Sequence, residues 1–170
     1  PASPVIAMVN LPQVLDGLKE RAVKDKDLDK GKQDLQKKAD DAKKALDSDR
    51  QALDLMPNND AKITAAKAYR EKLLRTDFDL DFGKQLLAEQ QAEGLKELYS
   101  KITIASAALA KARGYQLVIS NDEGVPVRGN TEEATRTISL KRFLYVDPSM
   151  DITDELVQYM NNEYETGSKK

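Results

Sequence analysis

Four residues, Pro57-Asn58-Asn59-Asp60, divide the stretch from Leu11 to Arg113 into two segments of similar length, each rich in helix-forming residues. Proline lacks the amide hydrogen that a helix interior needs, and Asn and Asp favour turns. A chain broken in this way runs out along one helix and returns along another, and so short a connection makes the two antiparallel. Pro12 is tolerated in a first helical turn, so Leu11 to Met56 reads as one long helix, softened at Gly31. A second helix is expected from Asp60, acting as its cap, to Arg113, with Gly114 placed for a left-handed C-terminal cap. An arm of about 45 residues would be roughly 65–70 Å long at about 1.5 Å per residue.

The apolar positions supply the pairing. Leu35, Ala39, Ala42, Leu46, Asp49, Leu53 and Met56 follow alternating steps of four and three, the heptad signature of a coiled coil, with Asp49 as the polar intruder. In the second helix Tyr69, Leu73, Leu80 and Leu87 share one side and are expected to face them. Leu74, Phe78, Phe82 and Leu86 recur every four residues and form a second stripe roughly opposite the first. A two-helix hairpin buries one such stripe per helix, so the second calls for another partner, and these four are candidate binding residues. Asp77, Asp79 and Asp81 flank it, as charges do beside an apolar surface that must stay soluble. Gly83 reads as a point of local bending. The competing reading makes this stripe the seam itself, or a contact with a second copy.

Composition narrows the function. Charged residues make up 33% and aromatics 5%, which suits long solvated helices better than a thick core. The net charge is −2, and Leu11 to Arg113 carries 21 basic and 19 acidic residues, so no nucleic-acid partner is expected. No apolar run is long enough for a transmembrane segment. There is no His and no Cys, which removes the commonest general base, the best nucleophile and the favoured zinc ligands. The expectation is a protein that is not an enzyme, with no catalytic residues, no cofactor and no metal. Asp77-Phe78-Asp79-Leu80-Asp81-Phe82-Gly83 has acidic residues at the first, third and fifth places of a calcium loop. Its Gly comes one place late and Ala88 stands where a Glu is needed, so a solvated helix face is the better reading. Asp147, Asp151, Asp154 and Glu155 read as turn and cap residues rather than as a catalytic pair.

Outside the hairpin the texture changes. Pro4 to Asn10, Tyr115 to Ser120, Val125 to Arg128 and Phe143 to Val146 read as strands, with a turn at Asn121 to Gly124. Asn130 or Thr131 caps a brief helix through Ala134, and Thr153 caps a last one, leaving a frayed tail over 166–170. The fold class is therefore α+β and mostly helical. Residues 1–10 with 114–165 form a small β-rich body, and 11–113 form the hairpin with its tip at 57–60. So small a body with open strand edges is marginal alone, so it is expected to hold several chains together. The oligomerisation candidates are Val5, Ile6, Val9, Leu117, Val118, Ile119, Leu144, Tyr145 and Val146, and of these Val5, Ile6, Leu117, Ile119, Leu144 and Val146 read as core residues of that body.

Three blocks carry a family resemblance. They are Ile6-Ala7-Met8-Val9-Asn10-Leu11 with Val14-Leu15, the run from Leu98 to Ile119, and Leu144-Tyr145-Val146-Asp147-Pro148-Ser149-Met150-Asp151-Ile152-Thr153-Asp154-Glu155-Leu156. In this order they resemble the OmpH/Skp family of periplasmic chaperones, the last being very close to that family's ending LYADPSLDITDEV. The resemblance implies a homotrimer with a β-rich body and three coiled-coil tentacles. It further implies ATP-independent holding of unfolded outer-membrane proteins, with Leu74, Phe78, Phe82 and Leu86 as the client-contacting candidates. It places the chain in the periplasm. Pro1-Ala2-Ser3-Pro4, without an initiator Met, fits an export signal already removed. The chain departs from the family's well-known basic members in its sequence pI of about 5.4, and its 121–142 segment is longer than usual. A structural coiled-coil protein clamping one folded partner is the alternative function.

Overall fold

The computed structural model describes residues 5–122, 124 and 126–167. Its elements are β1 (Ile6–Val9), α1 (Leu11–Gly17), α2 (Lys19–Leu55), α3 (Asp60–Arg113), β2 (Leu117–Ser120), α4 (Thr131–Leu140), a 3-10 turn (Pro148–Met150) and α5 (Thr153–Gly167). The chain divides into two compact units, residues 1–23 with 96–170 and residues 24–95. Among the described residues no helix is long and apolar enough to cross a membrane.

In the first unit β1 and β2 pair in parallel, from Ile6 opposite Leu117 to Val9 opposite Ser120. Parallel neighbours need a crossover, and here the intervening chain is the run of α1, α2 and α3. On the other side of β1 the amide of Ile152 donates to the Met8 carbonyl at 2.9 Å, and Asp151 bridges to Met8. β2 is therefore an outer strand. The core joins Ala7 and Val9 to Val14 and Leu18, to Ile152, Leu156 and Met160, and to Leu98, Ile102, Ala105 and Leu109 of α3. The α3 set follows steps of four, three and four, one buried face of a helix. Each large aliphatic side chain buried there contributes about 1.5–3 kcal/mol against exposure.

The long first helix departs from expectation. It breaks at Gly17 and Leu18, where Leu18 has extended backbone (φ −79°, ψ 122°), whereas Gly31 continues α2 undisturbed. The break lets Leu18 turn into the core, and Asn161 of α5 secures it. Its side chain accepts from the Lys19 amide at 2.9 Å and donates to the Gly17 carbonyl at 3.0 Å. Gly17 is needed for close approach, because a Cβ there would meet Val157 at 2.9 Å. α3 ends as its glycine implies. Gly114 has φ +78°, and the Tyr115 amide donates to the Ala110 carbonyl at 2.9 Å, the long bond of a Schellman cap.

The last third of the chain corrects several other expectations. Phe143 to Val146 is not a strand, and residues 126–128 are not strand either; Val125 lies outside the described residues. β-propensity describes packing on a pleated surface, and within one chain this segment finds none. α4 begins where Asn130 caps it, in a full capping box with Glu133, and extends to Leu140 rather than Ala134. Thr153 is no cap but a buried residue of α5, whose hydroxyl accepts from the Asn10 amide at 2.9 Å and donates to Asp151. Thr166 and Gly167 complete α5, and the rest of the expected frayed tail lies outside the described residues.

In the second unit the turn has Asn59, not Asp60, at the cap position: its side chain accepts from the Lys62 amide at 3.1 Å. The heptad positions Leu35, Ala39, Ala42, Leu46, Leu53 and Met56 are half-buried, as are Tyr69, Leu73, Leu80 and Leu87 opposite. Asp49 stays exposed at the edge of this seam and pairs with Lys72 of α3 at 2.6 Å. None of residues 24–95 is fully buried, as expected of two helices sharing one seam.

Candidate functional site

Within residues 24–95, the side of α3 away from the seam carries the second stripe. Leu74, Phe78, Phe82 and Leu86 are between 45% and 69% exposed. The four-residue step makes them a ridge along the helix, and the rings of Phe78 and Phe82 lie 6.2 Å apart and within 7° of parallel. Contiguous exposed apolar surface of this kind marks a contact site. Asp77, Asp79 and Asp81 lie in α3 itself, so the calcium-loop likeness has no loop behind it. Gly83 is not a bend. It is half-buried inside a continuous helix, with Leu35 packed where its side chain would be, and Gly31 receives Leu87 in the same way.

The body candidates separate into two groups. Val9 is buried, and Ile6, Val118, Ile119 and Val146 are partly covered. Val5, Leu117, Leu144 and Tyr145 are exposed, Leu144 at 93% and Tyr145 at 72%. Of the six expected as core residues, Val5, Leu117 and Leu144 are therefore not buried within one chain. Ile138 and Leu140 of α4 are also exposed, and the sequence reading missed them because Thr-Ile-Ser-Leu has no helical spacing of its own.

This apolar segment is held by its two ends. The Asp122 carboxylate accepts from the amides of Arg142 at 2.9 Å and Phe143 at 3.2 Å, closing the loop that contains α4. The Arg142 amide is the main reason the Asp122 carboxyl is held below its usual range; desolvation opposes it, and the Phe143 amide adds to the lowering. Asp147 likewise accepts from the Ser149 hydroxyl at 2.7 Å and its amide at 2.9 Å, and those two bonds lower its pKa. Lys101 of α3 donates to Glu20 at 2.7 Å and pairs with Glu97 at 2.9 Å. The Glu20 bond is the main reason its ammonium is held above the usual pKa. These are structural contacts. Among the described residues no group of three or more acidic side chains is arranged to hold a metal ion.

No curated protein sequence matches the chain significantly. Among solved structures, a Caulobacter crescentus protein assigned as an OmpH-like outer membrane chaperone shares the fold. The TM-score is 0.75 at 17% identity, over 96% of this chain and 87% of that one. The family model described as outer membrane protein (OmpH-like) matches residues 5–160, which include the body elements, the hairpin and the ridge, and the chain belongs to that family.

Proposed function

We propose that this protein is an ATP-independent holdase of the periplasm that binds unfolded outer-membrane proteins and keeps them from aggregating. The observation that carries the reading is the exposed ridge of Leu74, Phe78, Phe82 and Leu86, on a hairpin whose seam is formed by other residues. A holdase needs apolar surface that unfolded segments can cover, and it acts by mass action without a catalytic group. Family membership and the assignment of the Caulobacter protein as an outer membrane chaperone support the same reading.

The working unit in this proposal is a homotrimer joined through the body. Val5 and Leu117, near the outer strand β2, together with Leu144 and Tyr145, supply an apolar surface that one chain leaves uncovered. An outer strand with an open edge invites the same kind of contact. Of the remaining body candidates, Val9 and Val118 belong to or pack on the core, and Ile6, Ile119 and Val146 are partly covered.

Aggregation assays on several unrelated unfolded outer-membrane proteins, without nucleotide and alongside light scattering, test both parts. Suppression for most clients, with a molar mass about three times the 18.9 kDa chain, is the expected result. Binding of one folded partner and indifference to unfolded clients would favour a structural clamp instead. A monomeric mass at micromolar concentration would remove the trimer.

A further inference from the structure

The ridge has a charge of its own. Asp77, Asp79 and Asp81 alternate along α3 with Phe78, Leu80 and Phe82, and all three carboxylates stand on exposed residues beside the aromatic pair. Asp81 also receives Lys84 at 3.0 Å, an exposed pair that water and salt open readily. Of the cations on this stretch of helix, Lys72 is engaged with Asp49 at 2.6 Å, and Arg75 stands one turn before Asp79. Arg75 offsets part of the acidic charge.

Two features of this surface attract cations. The face of a phenyl ring is negative and holds a cation above it. Neighbouring carboxylates add hydrogen-bonded ion pairs. A guanidinium group satisfies both at once, because it is planar, stacks on a ring and presents a fork of donors to a carboxylate, whereas an ammonium does neither so well. The two rings are nearly parallel, so each has an outer face of similar orientation to offer.

We propose that the ridge selects client segments in which an arginine stands beside apolar residues. The apolar side chains cover Leu74 and Leu86, and the guanidinium lies over Phe78 or Phe82 within reach of Asp77, Asp79 or Asp81. This rests on the reading of the ridge as the client-contacting surface and adds to it the chemistry of the segment chosen. Segments with acidic flanks are disfavoured by the same carboxylates.

The test uses the whole protein and four synthetic peptides of equal length and apolar content, whose flanking positions are Arg, Lys, Gln or Glu. Affinities are read by fluorescence anisotropy near physiological salt. The Arg peptide is expected to bind about tenfold more tightly than the Glu peptide, the sum of a few exposed ion pairs, with Lys and Gln between. In Asp77→Asn/Asp79→Asn/Asp81→Asn the ratio falls towards one, while the Gln peptide binds as before. Equal affinity for all four peptides, with binding lost in Phe78→Ser/Phe82→Ser, would overturn the selection and leave the client surface standing. Failure of every peptide to bind, with undiminished chaperone activity in the Phe variant, would overturn both. A changed molar mass in the Phe variant would assign the ridge to a contact between copies, which also overturns the selection.

Discussion

Leu35 of α2 packs into the space left by Gly83 of α3, so that a Cβ at position 83 would stand 2.7 Å from its Cδ1 atom. Four residues along each helix the roles reverse, with Leu87 of α3 on Gly31 of α2. The glycines are holes for leucine knobs, which lets the two backbones approach closely. Beside this contact Leu35, Ala39, Leu80 and Leu87 line an open groove of about 530 Å³, so Leu35 has room to swing. Gly83→Ala gains about 1 kcal/mol of helix propensity and displaces only the end of a flexible side chain. Its effect on thermal unfolding is expected to be small. Gly83→Leu overfills the seam and is expected to cost about 1–3 kcal/mol. Leu35→Gly should recover part of that loss, a coupling that a double-mutant cycle measures.

Asn161 gives a second test, in the body. It satisfies one donor and one acceptor freed where α1 ends and α2 begins. Asn161→Ala removes both hydrogen bonds, and at about 0.5–1.5 kcal/mol each the expected destabilisation is about 1–3 kcal/mol. Asn161→Asp keeps the acceptor for Lys19 but sets a carboxylate oxygen against the Gly17 carbonyl, so it should cost no less than Asn161→Ala. Chemical denaturation of the three proteins checks the order.

Acid should release the loop that contains α4. The Asp122 carboxyl is held below its ordinary value of 3.8 by bonds that exist only in the folded state. A depressed folded pKa stabilises the structure above the unfolded value, and that contribution is lost as pH falls below 3.8 through the folded pKa. Asp147 acts in the same direction at the 3-10 turn. Hydrogen exchange should show the amides of Arg142 and Phe143 protected near neutrality and opening first in acid. In Asp122→Ala they should exchange freely at both pH values.

The long helices were legible in the sequence because their signals are local and repeated. Heptad steps from Leu35 to Met56, turn residues at 57–59 and the glycine after Arg113 each act within a few neighbours. The break at Leu18 was not legible, because its cause lies in Asn161 and Val157, far along the chain. Nothing local separates Gly17, where the helix breaks, from Gly31, where it does not, since a helical glycine looks the same whether it bends or receives a leucine. Phe143 to Val146 shows the same limit from the other side. Its β-branched and aromatic residues promise a strand, but a strand needs a neighbour, and within one chain Asp122 holds only its first amide. For the ridge, spacing alone separated Leu74, Phe78, Phe82 and Leu86 from the seam. Which stripe faced α2 depended on packing that periodicity does not decide.

The ridge supplies the most direct test of function. Phe78 and Phe82 are 69% and 57% exposed, and their rings stack with centroids 6.2 Å apart. Replacing both by Ser removes side chains that are mostly exposed, so the folded state loses little. Exposed substitutions of this kind usually change stability by less than about 0.5 kcal/mol, and serine and phenylalanine have similar helix propensities. Phe78→Ser/Phe82→Ser is therefore expected to leave the melting curve nearly unchanged and to abolish most of the suppression of client aggregation. Both measurements are made on the same preparation. A loss of roughly 3 kcal/mol or more per phenylalanine, the cost of emptying a core aromatic site, would make the ridge structural in the assembled protein. Full chaperone activity with an unchanged melting curve would place the client-binding surface elsewhere on the chain.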